Sequence, residues 1–193
     1  MIRFITFIEN SLQIFFQRIK TSVAVNDKAL ACFRIFFGLS MLTTFLPSWS
    51  WLGDVPPAFF KPRPLSIAYL ADGHLPQGVY LFFDVFVILL FVFLILGFFT
   101  RATFITLFVL SGVLYSFSYT FDKIDHYTTI LMFTYLCMSF TNSGTNFAIR
   151  KDKGVTSNMQ SRALASLALI ICFGMFTAGF PKFINWVDFD LST

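Results

Sequence analysis

Gly78-Val79-Tyr80-Leu81-Phe82-Phe83-Asp84-Val85-Phe86-Val87-Ile88-Leu89-Leu90-Phe91-Val92-Phe93-Leu94-Ile95-Leu96-Gly97-Phe98-Phe99 carries a single charge in its whole length. A hydrocarbon core about 30 Å thick needs roughly 17–25 apolar residues per helix, and this stretch supplies them without interruption. Working outward, Thr100-Arg101 is the only polar break before a second apolar run, Ala102–Tyr119. So short a link predicts two antiparallel neighbouring helices. Three further segments read as spans: Ala29–Leu46, His126–Thr141 and Ala163–Phe180.

Composition agrees with that reading. Of 193 residues 56% are hydrophobic, 20% aromatic and only 12% charged, against about 25% charged in soluble domains. A soluble globule of this length could not hide 29 phenylalanines. The expectation is an all-α polytopic integral membrane bundle, a single domain over 1–193 with about five transmembrane helices. Residues 1–25 add an amphipathic helix, with Ile5, Ile8, Leu12, Phe15 and Ile19 opposite Arg3, Glu9, Asn10, Gln13 and Gln17. Such a helix lies in the membrane interface or packs against the bundle.

Loop charge sets the orientation. Arg3, Arg18, Lys20, Lys28, Arg101, Arg150, Lys151, Lys153 and Arg162 fall on one side, and Lys61, Arg63, Lys123 and Lys182 on the other. The positive-inside rule then places the N-terminus in the cytoplasm and the C-terminus outside. Pro47–Gln77, with six of the seven prolines, faces outward. Seven of the ten acidic residues and both histidines, His74 and His126, share that face. Any aqueous-facing site opens there. Trp49, Trp51 and Trp186 read as an aromatic belt at the outer interface.

Within the apolar regions two charges stand out. Arg34 lies a turn or two inside the first span, and intramembrane charges face the bundle interior or a cavity. It reads either as an anion or headgroup site or as an arginine snorkelling to the near interface. Asp84 follows the outer start of the second span by about one turn and could pair with Lys123 or Lys182. Gly38, Gly97, Gly112, Gly174 and Gly179 read as close-packing positions between helices. Cys32, Cys137 and Cys172 lie in apolar spans without a CxxC pair, so small buried thiols are expected. No zinc signature is present, no metal is predicted, and the scattered charge argues against a nucleic-acid partner.

The densest polar cluster is Phe121-Asp122-Lys123-Ile124-Asp125-His126-Tyr127. Tucked under the outer loop, Lys123 would be desolvated and become a proton acceptor. Asp122 and Asp125 would oppose that by favouring the ammonium, and His126 is an alternative base. As a plain polar turn, the same residues are structural ion pairs.

Four places together resemble the horizontally transferred transmembrane (HTTM) domain family, bacterial relatives of the membrane part of vitamin K-dependent gamma-carboxylase. They are Leu30-Ala31-Cys32-Phe33-Arg34-Ile35-Phe36-Phe37-Gly38, Leu96-Gly97-Phe98-Phe99-Thr100-Arg101, Asp122-Lys123 with His126, and Phe176-Thr177-Ala178-Gly179-Phe180-Pro181-Lys182-Phe183 with Trp186. In the carboxylase a lysine of the third segment deprotonates vitamin K hydroquinone. The resemblance implies Lys123 in that role with His126 beside it; Arg34, Asp84, Asp122, Asp125 and Lys182 are the candidate ligand-binding residues. It implies a bacterial inner-membrane protein taking a quinone-like or lipid ligand. The chain ends at Thr193, so the later helices and large outer domain that hold the carboxylase's glutamate substrate have no counterpart here. A short family member, a fragment or one part of a split protein is expected. Two functional expectations stand side by side: an enzyme-like domain with Lys123 as base, and a non-catalytic subunit in membrane lipid that assists a partner membrane or extracytoplasmic protein. Transport would call for broken helices or an inverted repeat, and neither is visible.

Overall fold

Asn26 opens the first long apolar helix, its side chain accepting a hydrogen bond from Ala29 N at 2.7 Å. That is the reason the helix starts there: the cap satisfies one of the amides a helix N-terminus leaves free. The computed structural model describes residues 2–64, 66–121 and 126–186, and among these the chain is all-helical, without a strand. Its α-helices are α1 (Ile2–Ser22), α2 (Asp27–Thr43), α3 (Gln77–Leu96), α4 (Thr100–Ser118), α5 (His126–Ser139) and α6 (Ser157–Trp186). Short 3-10 turns at Ser50–Asp54, Pro57–Phe59 and Ile67–Leu70 shape the connection between α2 and α3.

Successive helices from α2 to α6 pack side by side, and α1 lies against α6. Gln77–Leu96, Thr100–Phe121 and Ser157–Phe180 are long and apolar enough to cross a membrane, while Tyr127–Ser139 is apolar but shorter. The first expected span is shorter than its sequence suggested. Thr44, whose N–H returns to Ser40 O, ends α2 at Thr43, and Pro47 follows three residues on. Conversely, α6 overruns the expected 163–180 at both ends.

The α3–α4 turn shows how sequence becomes geometry. Gly97 takes φ +68°, its N–H bonds Leu94 O at 3.1 Å and Phe98 N–H bonds Phe93 O at 2.9 Å. These paired bonds close the helix as a Schellman motif, which wants glycine at the left-handed position. Phe99 follows at φ 48°, so the reversal is completed in three residues. Ile149 N–H and Arg150 N–H then dock on Leu96 O and Gly97 O. A Cβ on Gly97 would meet Ala148 Cα at 2.6 Å. This glycine is required twice over.

The core lies between α2, α3, α4 and α5, built from Leu30, Met41, Val87, Phe91, Phe104, Leu107, Leu114 and Tyr135. Gly38 lets Ile95 approach, and Gly174 lets Ile130 approach. Gly179, expected to be a packing position, faces open space. Two further expectations change. Trp49 is 1% exposed, a core residue and not a belt residue, because the loop after α2 folds inward. Of the cysteines only Cys137 is buried; Cys32 and Cys172 sit on outward helix faces. The second half of α6 leaves Phe173, Met175, Phe176 and Phe180 uncovered.

Gly97→Ala is expected to lower stability by about 1–3 kcal/mol from the left-handed backbone alone, with the contact to Ala148 adding to it. Thermal unfolding of the detergent-purified protein checks this, with Gly179→Ala as a control expected to leave the melting temperature unchanged.

Candidate functional site

Two charges that the sequence places within apolar helices have backbone partners. Arg34 is 0% exposed. Its Nη1 donates to Ser143 O at 2.8 Å and to Asn146 O at 3.5 Å, and its Nη2 donates to Phe147 O. It therefore neither snorkels nor offers its guanidinium face to an anion. Hydrogen bonds to a charged donor contribute about 1.5–3 kcal/mol each, which offsets a burial cost of several kcal/mol for the ion. Asp84 is similarly occupied at the other end of the bundle. Its Oδ1 accepts from Trp49 N at 2.8 Å, and its Oδ2 accepts from Ser50 N at 3.0 Å and from Ser48 Oγ at 3.1 Å. The carboxylate caps the turn at Ser50–Asp54 from a different helix and draws Trp49 into the core. The expected pairing with Lys182 is not made: Lys182 is exposed near the end of α6.

Asp84 thereby builds one wall of a cavity of about 400 Å³, within the usual range for small-molecule sites. Trp49 and Trp51 come from the pinned loop, Tyr115 and Tyr119 from the end of α4, Phe121 from the turn after it, and Tyr127 and Thr128 from the start of α5. The rings brace one another. Trp49 meets Tyr115 edge-on at 5.2 Å and Tyr119 stacks on Tyr115 at 5.9 Å. The Tyr119 hydroxyl hydrogen-bonds Thr128 Oγ1. Trp51 tilts over Phe121 at 5.6 Å, its indole N–H donating to Ser48 O at 3.1 Å. An aromatic slot edged by phenol hydroxyls suits a flat ring bearing oxygen substituents, through offset or edge-on contacts and hydrogen bonds.

Phe121 and Tyr127, two of the lining residues, bracket the polar cluster. Asp122, Lys123 and Asp125 lie outside the described residues; His126 opens α5, and only its backbone is described. The structure brings the two flanks of the cluster to the cavity, and it leaves Arg34 at the opposite end of the bundle. The sequence reading had passed over the cavity's own rings. Their signal was present in the spacing of Tyr115 and Tyr119, which puts both on one face of α4.

His74 is the other polar group at this end. Its ring sits edge-on to Phe60 at 4.9 Å and stacked on Phe121 at 6.0 Å, and both nitrogens are buried without a hydrogen-bond partner. Burial pushes its pKa down from the usual histidine value, favouring the neutral ring. Among the described residues no group of three His, Cys, Asp or Glu side chains could hold a metal ion. No known protein family, curated protein or solved structure matches the chain.

Two outcomes follow. Asp84→Leu strands the Trp49 and Ser50 amides and is expected to cost about 2 kcal/mol or more. With Trp51 and Trp186 replaced by phenylalanine, it should shift Trp49 emission to the red, and an unshifted spectrum would show that Asp84 does not hold the loop. For His74, the unfolded chain takes up the proton more readily than the fold. Stability is thus complete above about pH 6.5 and falls as pH drops from there toward the lower folded value. His74→Phe should flatten that part of the pH–melting curve.

Proposed function

We propose that the chain is a polytopic membrane protein whose aromatic cavity binds a lipophilic, quinol-type ring, with Lys123 as the proton acceptor. The observation that carries this reading is that Phe121 and Tyr127 both line the cavity while flanking Lys123 by two and four residues in sequence. Both flanks of that segment thus meet a cavity walled by Trp49, Trp51, Tyr115 and Tyr119. The described residues that line the cavity offer aromatic faces and hydroxyls, so the base has to come from the bracketed cluster, from Lys123 or from His126. A quinol hydroxyl would lose its proton to the lysine, and the tyrosine hydroxyls would hydrogen-bond the phenolate oxygen formed.

In this reading α2 to α6 are the five spans, with the basic loops in the cytoplasm of a bacterium and the cavity opening outward through its inner membrane. The motif resemblance to the HTTM domain family and to the membrane part of vitamin K-dependent gamma-carboxylase supports the same assignment of Lys123. A second reading has its own observation. Phe173, Met175, Phe176 and Phe180 form an uncovered apolar face on α6, which suits a non-catalytic subunit that docks a partner helix.

Reduced menadione, a short-tailed quinol, tests the first reading. Purified protein should show saturable quenching of Trp49 fluorescence and should speed the oxidation of the quinol by oxygen, since the deprotonated quinol is the oxidisable form. Lys123→Met should retain quenching within about threefold and lose the rate enhancement, as expected for removal of a general base worth 10²–10⁴-fold. Quenching that never saturates, or an undiminished rate in Lys123→Met, would dispose of the ring-and-base reading and leave the subunit reading.

A further inference from the structure

A cavity of about 790 Å³ lies at neither of the two charged clamps. It lies between α1 and the first half of α6. Lys20 Nζ donates to Asn158 Oδ1 at 2.7 Å, which fixes the antiparallel crossing of the two helices. One turn further along α6 comes Arg162, and Arg18 faces in from α1. Among the described residues, three cations and no carboxylate line the groove; Glu9, a turn before Gln13, is not in its wall. Beyond the cations the lining becomes apolar, through Ile14, Phe16 and Leu169.

Leu169 is also a wall of a second cavity, about 590 Å³, between α5 and α6. That cavity is lined by Ile130, Phe133, Ile170 and Phe173, with Gly174 leaving room at its side. A cationic groove and an apolar slot thus adjoin along α6, with Leu169 in the wall of both. We propose that this path is a binding site for an anionic phospholipid, its phosphate headgroup between Arg18, Lys20 and Arg162 and an acyl chain running past Leu169 between α5 and α6. Charge decides the occupant. A zwitterionic lipid would add a cation to a mouth that already holds three, whereas an anionic headgroup meets all of them. A free phosphate would satisfy the mouth and leave the apolar slot unused. Other apolar side chains of α1 agree with a helix lying along a bilayer, since Phe7, Leu12 and Phe15 are uncovered and amphipathic helices bury such a face at the acyl boundary.

The proposal rests on membrane insertion and is independent of the quinol pocket. The test is native mass spectrometry of the full chain in a non-ionic detergent, with added phosphatidylglycerol or phosphatidylcholine of identical acyl chains. The unaltered chain should retain one phosphatidylglycerol at concentrations at least tenfold below those needed for phosphatidylcholine. Arg18→Gln with Arg162→Gln should abolish that preference, as each cation near an anionic surface contributes about fivefold. Lys151→Gln with Lys153→Gln removes the same charge at the same end and should leave the preference intact. Leu169→Trp should weaken retention of phosphatidylglycerol with every cation in place, which a headgroup-only site would not show. Arg18→Lys with Arg162→Lys should restore the preference if the Gln variants are folded and merely uncharged. Equal retention of the two lipids, equal loss in both double Gln variants, displacement by millimolar inorganic phosphate, or a co-purifying polypeptide in the groove would each overturn the assignment. Trp49 quenching by reduced menadione, read on the same samples, keeps a failure here separate from a failure of the quinol reading.

Discussion

A guanidinium buried among carbonyls holds one end of this bundle together. Arg34 reaches from α2 to Ser143, Asn146 and Phe147, in a loop more than a hundred residues further along the chain. The loop in turn lies on the α3–α4 turn through Ile149 and Arg150, with Ala148 against Gly97. Asp152 extends the same arrangement by accepting from Arg101 N at 2.8 Å. Asn142 and Gln160 tie the loop to the start of α2, with Gln160 Nε2 donating to Val25 O and to Asp27 Oδ1. Removing Arg34 would strand three carbonyls of this one loop at once. Three of the helices are long and apolar enough to cross a membrane, and helices in a bilayer gain little by hiding apolar surface from lipid, so polar bonds and close packing set such arrangements.

Asp84 does at the opposite end what Arg34 does here, and the similarity has a functional consequence. Charged residues within apolar helices are functional candidates by default, yet both of these make most of their hydrogen bonds to loop backbone. Arg34 fixes a loop that carries basic residues, and Asp84 fixes a loop that carries tryptophans. In each case the charge determines where other side chains are presented. Asp84 bears on chemistry indirectly, because without it Trp49 has no reason to turn inward and the aromatic cavity loses a wall. Both are positioning residues.

The helices were legible because their signals are local. The two-residue polar break Thr100-Arg101 marks a turn, and an unbroken apolar run marks a helix long enough to span. The partner of Arg34 was not legible, since a backbone carbonyl in a Gly- and Asn-containing loop leaves no pattern that points across 109 residues of chain. Trp49 was misplaced for a related reason: a tryptophan just past a span belongs at an interface unless something pulls it in, and the something is a carboxylate on the next helix. Cys32 and Cys172 were expected inside because their neighbours are apolar, but on a helix bathed in lipid the outward face is as apolar as the inward one. The rings around the cavity were visible as residues and unreadable as a site. In a chain with 29 phenylalanines, an extra pair of aromatics four residues apart does not distinguish a pocket from packing.

With so little contrast between inside and outside, the two proposed ligand sites are marked by opposite chemistries. At the end where α4 meets α5 the chain offers rings and hydroxyls. Where α1 crosses α6 it offers cations at the mouth of an apolar slot. A ring with oxygens suits the first and a phosphate with a tail suits the second, and neither ligand would gain by exchanging places. α6 links the two requirements. Its first half is drawn to the bundle through Ala163, Ala165 and Leu167, while its second half keeps its large side chains outward. A helix covered at one end and bare at the other rotates or tilts more easily than one packed along its length, and Leu169 lies at that change. A lipid seated there would supply the packing that the chain itself withholds.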